Sequence, residues 1–168
     1  GPDSQPLLTT PSTYGWSDAA DRDGNVYLAT GTPATVLRVT PDGKSTTLFT
    51  SREMSVQVVR VGPDGDIYAA TLPSGKVYRF SPHAENRNDD NATVVFDPAG
   101  TKEKPKYVWD LAFDAQRRLY IATGGPAAIY RVTPGGSATP SQADLFFKID
   151  EEHIRCIAFD KAGNLIAG

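Results

Sequence analysis

Residues 107–136 read YVWDLAFDAQRRLYIATGGPAAIYRVTPGG, and this stretch predicts three β-strands separated by two turns. Apolar residues alternate at Trp109, Leu111 and Phe113, and a second apolar run covers residues 119–121. A polar turn separates these two runs, and a Gly-Gly-Pro turn separates the second run from a third. The stretch therefore predicts most of one four-stranded antiparallel unit.

Looser copies of this stretch recur along the chain. Equivalent positions of the second strand are Tyr27, Tyr68, Tyr120 and Ile166, which lie 41 to 52 residues apart. Repeats of about 40–50 residues that contain only short strands are typical of propeller blades. The sequence therefore predicts an all-β fold, a partial β-propeller of about three and a half four-stranded antiparallel blades.

The repeats divide residues 1–168, taken as a single propeller segment, into blades and parts of blades. The predicted units are a lone outer strand at 5–10, blade 1 at 14–51, blade 2 at 54–97, blade 3 at 107–149, and the inner strands of an incomplete blade 4 at 153–168. An open arc of this kind exposes two unpaired edges, and such edges pair with other chains. The sequence therefore predicts self-association, with a homodimer favoured, or completion of the ring by a missing half.

The short segments between the predicted strands are interpreted as tight turns and polar loops. The Asp-Gly pairs at Asp23, Asp42 and Asp64 predict tight turns, because glycine readily adopts the positive φ that such turns require. The polar stretches 81–91 and 137–142 are interpreted as loops that precede outer strands.

Composition excludes several classes of protein. A formal net charge of -3 gives no basic footprint, so no nucleic acid is expected as a partner. No apolar run approaches the roughly 20 residues that a membrane helix needs, so no membrane span is expected. The single cysteine, Cys156, excludes an intrachain disulfide and is expected to be a small, half-buried strand residue.

Candidate ligand-binding residues lie where each innermost strand begins, because those ends surround the mouth of a propeller's central channel. The candidates are Tyr14, Trp16, Gln57, Tyr107, Trp109, Asp110, His153 and Arg155. The aromatic rings could stack on a sugar ring or a cationic group, while Gln57, Asp110 and Arg155 would supply hydrogen bonds. In the alternative interpretation, the two tryptophans pack between blades as part of the core. The expected ligand is a small molecule or a carbohydrate.

No catalytic residue, metal site or cofactor is predicted. His153 follows two glutamates and could act as a general base or metal ligand, but a solvated acidic turn is the simpler interpretation. The other histidine, His83, lies in a polar loop of another blade. Residues 86–91 are rich in Asp and Asn, yet they lack the spacing of a calcium loop and are interpreted as a mobile loop.

The repeated motif resembles the NHL and gluconolactonase-like β-propeller superfamily, in particular bacterial exported propellers. It is carried by segments such as LYIATG at 119–124 and IYRVTPGG at 129–136. The resemblance implies a periplasmic or extracellular location. In enzymes of the gluconolactonase-like branch it implies a divalent metal held by Glu, Asn and Asp, but the matching positions here offer Asp110 together with Ser17, Val58 and Cys156. That metal triad is therefore not carried over.

The sequence favours a non-catalytic binding or scaffold segment of a β-propeller over an enzyme. Two alternatives remain open. One is a metal-dependent, lactonase-like hydrolase whose site is completed by a partner half. The other is a purely structural fragment whose function is assembly.

Overall fold

The computed structural model describes residues 15–135 and 143–168. The described residues form four sheets, each built from strands consecutive in sequence and paired antiparallel, apart from one short addition to the first. Sheet 1 contains β1 (Gly15–Ala20), β2 (Val26–Thr30), β3 (Ala34–Val39), β4 (Ser45–Ser51) and the short β8 (Arg87–Asn88). Sheet 2 contains β5 (Ser55–Val61), β6 (Ile67–Leu72), β7 (Val77–Phe80) and β9 (Thr93–Phe96). Sheet 3 contains β10 (Tyr107–Phe113), β11 (Leu119–Gly124), β12 (Ala128–Val132) and β13 (Asp144–Lys148), and sheet 4 contains β14 (Ile157–Phe159) and β15 (Leu165–Ala167).

This architecture confirms the predicted fold class. The predicted lone outer strand at 5–10 and the candidate residue Tyr14 lie outside the described residues, as do residues 137–142 of the second polar loop. The described ranges contain no helix long and apolar enough to cross a membrane. Their one helical element is the 3-10 turn Pro98–Gly100.

Apolar clusters between consecutive sheets hold the arc together. Phe49 of sheet 1 stacks on Phe80 of sheet 2, with ring centroids 5.0 Å apart. Phe96 of sheet 2 meets Tyr130 of sheet 3 at 5.2 Å, and Tyr120 of sheet 3 meets Phe159 of sheet 4 at 4.9 Å. Both faces of a sheet must be covered in such a stack, which explains why β6 and β11 are buried along almost their whole length.

Aspartate side chains fix the turns between the first and second strands. The Asp114 carboxylate accepts hydrogen bonds from the amides of Gln116 and Arg118, from Arg118 Nε at 2.6 Å and from the Tyr120 hydroxyl at 3.0 Å. Burial raises the pKa of the Asp114 carboxyl, but the hydrogen bonds from Arg118 and Tyr120 outweigh burial and hold that pKa below its usual range. The carboxylate is therefore ionised at neutral pH.

Equivalent aspartates fix the corresponding turns of sheets 1 and 4. Asp21 accepts hydrogen bonds from the Asn25 amide at 2.9 Å and from the Tyr27 hydroxyl at 2.8 Å, and Asp160 accepts one from the Asn164 amide at 2.8 Å. The sequence predicted turns at the Asp-Gly pairs, and Gly24, for example, has φ of +83°. It did not reveal these side-chain clamps.

The polar stretch 81–91 is more ordered than the sequence indicated. Its strand β8 pairs in parallel with β4, so a segment that belongs to blade 2 in sequence extends sheet 1. Asp89 then accepts hydrogen bonds from the Ser51 hydroxyl at 2.7 Å and the Arg52 amide at 2.8 Å, while Arg52 forms a bidentate pair with Asp90. The aspartates that suggested a calcium loop therefore bind protein groups and fasten sheet 2 to the outer edge of sheet 1.

Cys156 is exposed, which corrects the expectation that it is half-buried. The physical reason is the small size of sheet 4, whose two described strands leave one face uncovered. Ile166 on β15 is 56% exposed for the same reason.

Candidate functional site

The innermost strands of sheets 1, 2 and 3 each contain a β-bulge at a position that the sequence selected for ligand binding. Pairing of β10 with β11 passes from Val108 to Asp110 and omits Trp109, and sheets 1 and 2 show the same irregularity. In sheet 4 the amides of Arg155 and Cys156 both donate to the carbonyl of Gly168, at 2.9 and 3.2 Å. The bulged residues of sheets 1, 2 and 3 are Trp16, Gln57 and Trp109, and Arg155 is the equivalent residue ahead of β14.

The bulge changes which side chains share a face of β10. Regular alternation from Trp109 to Leu111 and Phe113 was expected, but the buried apolar residues of β10 are Val108 and Leu111, which are 2% and 1% exposed. Trp109 is only half-buried because the bulge turns it away from the core. Bulges commonly redirect a side chain in this way next to functional sites.

Four of the predicted residues, Tyr107, Trp109, His153 and Arg155, come together and are called the rim cluster below. Tyr107 and Trp109 stack with centroids 5.1 Å apart and an interplanar angle of 23°. Trp109 Nε1 donates a hydrogen bond to His153 Nδ1 at 3.0 Å, and the Arg155 guanidinium lies 4.9 Å from the Trp109 ring. Because His153 Nδ1 accepts this bond, the neutral ring carries its proton on Nε2, where it can act as a donor.

Gly124 makes the contact between Trp109 and His153 possible. A Cβ atom at this position would lie 1.9 Å from His153 Nδ1 and 2.5 Å from Trp109 Nε1. Gly124 also forms an antiparallel bridge with His153, which joins the end of β11 to the segment before β14. The rim cluster is therefore built at the junction of sheets 3 and 4.

Asp110 does not belong to the rim cluster, although the sequence proposed it as a partner for a ligand. Its side chain is buried, and Oδ1 accepts hydrogen bonds from Arg60 Nη2 at 2.6 Å and from the Leu111 amide at 2.8 Å. Oδ2 accepts from the Ile157 amide at 3.0 Å. Both oxygens are engaged, and Asp110 ties sheets 2, 3 and 4 together.

Sequence reasoning missed Arg60, the cationic partner in this network. Arg60 also donates through Nη1 to the Ser17 hydroxyl at 3.3 Å, and the same hydroxyl accepts a hydrogen bond from the Val59 amide at 3.3 Å. Ser17 in sheet 1 and Asp110 in sheet 3 thus each bind a backbone amide of a later innermost strand. A lone charge in the apolar strand β5 was the available signal.

The remaining candidates lie apart from the rim cluster. Gln57 is half-buried, and its side chain makes no hydrogen bond to another residue in the described part of the chain. Trp16 is described only through its place in β1. Within residues 15–135 and 143–168, no group of three or more His, Cys, Asp or Glu side chains gathers in a way that could hold a metal ion.

Comparisons with known proteins identify the fold. No protein-family model matches the chain, and no curated protein matches it either. Among solved structures, a streptogramin B lyase matches with a TM-score of 0.72 at 12% identity, over 95% of this chain and 49% of that chain. A PQQ-bound aldose sugar dehydrogenase from Streptomyces coelicolor matches with a TM-score of 0.66 at 19% identity, over 96% of this chain and 57% of that one. A candidate gluconolactonase matches with a TM-score of 0.66 at 15% identity, over 89% and 55%.

These matches define the chain as a segment of a β-propeller. Its resemblance to gluconolactonase-like propellers is thereby confirmed at the level of the fold. The chain spans about half the length of the first solved structures that it matches.

Proposed function

We propose that this chain is a non-catalytic, ligand-binding segment of a β-propeller, and that the ligand binds at the rim cluster. The observation that carries the proposal is the convergence of Tyr107 and Trp109, on β10, with His153 and Arg155, in the segment before β14. Two stacked aromatic rings, a ring N–H and a guanidinium form a platform with hydrogen-bond donors beside it.

The chemistry of the rim cluster favours a ring compound that bears a carboxylate, such as an acidic sugar. Arg155 is exposed and already lies over the Trp109 ring, so it would repel a cationic ligand from that ring. It would attract a carboxylate instead, which guanidinium groups bind with two parallel hydrogen bonds. The Nε2 proton of His153 supplies a further donor.

Binding of D-glucuronate tests this proposal. We expect saturable binding by the wild-type chain, followed through Trp109 fluorescence in a Trp16→Phe background. Arg155→Gln should weaken it about tenfold or more, because a hydrogen bond to a charged group is lost. Arg117→Gln is the matched control, since Arg117 is an exposed arginine on a turn away from the rim cluster. Absence of saturation, or equal affinities for the Arg155 and Arg117 variants, would refute the proposal.

We further propose that two copies of the chain associate through the outer part of sheet 3. Phe49 and Phe96 occupy equivalent positions on outer strands, and each packs on a tyrosine of the following sheet at 5.2 Å. Phe147 occupies that position on β13 but is 52% exposed, and its neighbours Leu145 and Phe146 are each 43% exposed. An exposed apolar strand of this kind is a suitable surface for a second chain.

Light scattering on a sizing column measures this association. The wild-type chain should have twice the 18.1 kDa mass of one copy, and Phe147→Glu should reduce it to the mass of a monomer, because a charge would be buried in the interface. Met54→Glu is the control, since Met54 is 68% exposed on a turn between sheets 1 and 2. A monomeric wild type, or a dimeric Phe147→Glu variant, would contradict the proposal.

A further inference from the structure

A cavity of about 1030 Å³ lies at the opposite ends of the innermost strands from the rim cluster. It is formed where the first turns of sheets 1, 2 and 3 approach one another, and Pro82 and His83 close one side. Its volume is at the upper end of the range of about 300–1,000 Å³ found for small-molecule sites. The residues that matter for its chemistry are Asp21, Asp23, Arg38, Val61, Phe113 and Asp114.

Arg38 in this cavity lacks the partner that the equivalent arginine of sheet 2 has. Arg79 on β7 pairs through Nε with Asp66 at 3.3 Å. In sheet 1 the residue equivalent to Asp66 is Asn25, whose amide group binds Asp21 at 2.9 Å. Arg38 therefore has no carboxylate partner among the described residues.

The guanidinium of Arg38 retains a donor without an acceptor. Its Nη1 donates to the carbonyl of Pro82. Its Nε is buried and has no hydrogen-bond partner in the described part of the structure. Because Nε is enclosed by protein atoms, a ligand cannot reach it. Nη2 makes no hydrogen bond within the described residues and is not enclosed in this way, so it can donate to a ligand oxygen in the cavity.

The charges around Arg38 determine which kind of oxygen can bind there. The carboxylates that line the cavity belong to Asp21, Asp23, Asp64 and Asp114, and they outnumber the cations of Arg22 and Arg38. A ligand with a net negative charge would be repelled. Hydroxyl groups avoid this cost, because their oxygens accept from Arg38 while their protons are donated to carboxylates.

Asp23 and the apolar residues that line the cavity also suit a hydroxylated ring as the ligand. Asp21 and Asp114 already accept hydrogen bonds from tyrosine hydroxyls. The Asp23 carboxylate is exposed and accepts none from another residue in the described ranges. Val61 and Phe113, both half-buried, provide an apolar surface for the carbon face of a ring.

We propose that this cavity is a second binding site, separate from the rim cluster, and that its ligand is an uncharged sugar. Arg38 Nη2 donates to a sugar hydroxyl, Asp23 accepts from another, and Val61 with Phe113 contacts the ring. The site does not depend on the acidic ligand proposed for the rim cluster.

Isothermal titration calorimetry with D-glucose and with maltose tests the second site. Wild-type protein should bind at least one of the two sugars saturably. Arg38→Gln and Asp23→Asn should each weaken this binding about tenfold, as expected when a hydrogen bond to a charged group is lost. Asp18→Asn, an exposed aspartate outside the cavity lining, should leave it unchanged.

Three results would overturn the proposal. The first is the absence of saturable binding of either sugar. The second is binding that both Arg38→Gln and Asp23→Asn leave intact. The third is loss of sugar binding in Trp109→Ala, which would place the sugar at the rim cluster. Arg38 donates a hydrogen bond to Pro82, so far-ultraviolet circular dichroism should establish that the Arg38→Gln variant is folded. If that variant is unfolded, Asp23→Asn, which alters an exposed side chain, tests the sugar site instead.

Discussion

Replacing Asp110 with asparagine is expected to lower the free energy of unfolding by about 2–4 kcal/mol. The substitution preserves the shape of the side chain but replaces one acceptor oxygen with an NH2 donor. That donor would face either Arg60 or the Ile157 amide, both of which are donors themselves. This loss in the free energy of unfolding is smaller than the loss for breaking a fully buried ion pair, because the Arg60 side chain is 37% exposed.

Urea denaturation measures the loss for Asp110→Asn, and hydrogen exchange at the Ile157 amide locates it. That amide should exchange faster, since it loses its acceptor. Asp18→Asn is the matched control, because Asp18 is an exposed aspartate on β1, and its effect should stay within about 0.5 kcal/mol. Equal stabilities of the Asp110 and Asp18 variants would show that Asp110 does not tie the sheets together.

Replacing Gly124 with alanine is expected to break the rim cluster and to lower the free energy of unfolding by about 1–3 kcal/mol. The new methyl group would overlap His153 Nδ1 and Trp109 Nε1, which form the central hydrogen bond. Gly124 is buried and bridged to His153, so the backbone has little room to retreat. One or both rings must therefore leave their positions.

Trp109 fluorescence in a Trp16→Phe background reports directly on this change for Gly124→Ala. The emission should shift as the indole loses its hydrogen bond, and D-glucuronate binding should be lost together with it. Gly100→Ala is the control, because a Cβ at Gly100 meets nothing within 4 Å. An unchanged emission spectrum in the Gly124 variant would mean that the two rings are not held as described.

The strands and turns were predictable because their signals are local. Apolar alternation recurs in each repeat, and Asp-Gly turns occur in the first two; both signals depend on residues a few positions apart. The inference that Trp109 and Arg155 occupy equivalent positions also followed from aligning the repeats. The bulge itself was not predictable, because Trp109, Leu111 and Phe113 equally fit a regular strand.

The role of Asp110 could not be read from the sequence for a different reason. Its partners Arg60 and Ile157 are 50 and 47 residues away, and only the folded arc brings them together. The sequence does not distinguish a carboxylate that binds a ligand at the channel mouth from one that forms hydrogen bonds between sheets. Strand β8 is similar, since two residues of a polar stretch carry no strand signal until β4 offers an open edge.

The repeated bulge has a consequence for how such a protein acquires new specificity. The backbone departs from regular pairing at one residue in each of β1, β5 and β10, yet those residues are as different as Gln57 and Trp109. The equivalent position ahead of β14 carries Arg155. The backbone geometry of the innermost strands therefore tolerates very different side chains at these positions. A combinatorial library that varies only these positions, one residue in each blade, would therefore change the ligand specificity while leaving the rest of the fold unaltered.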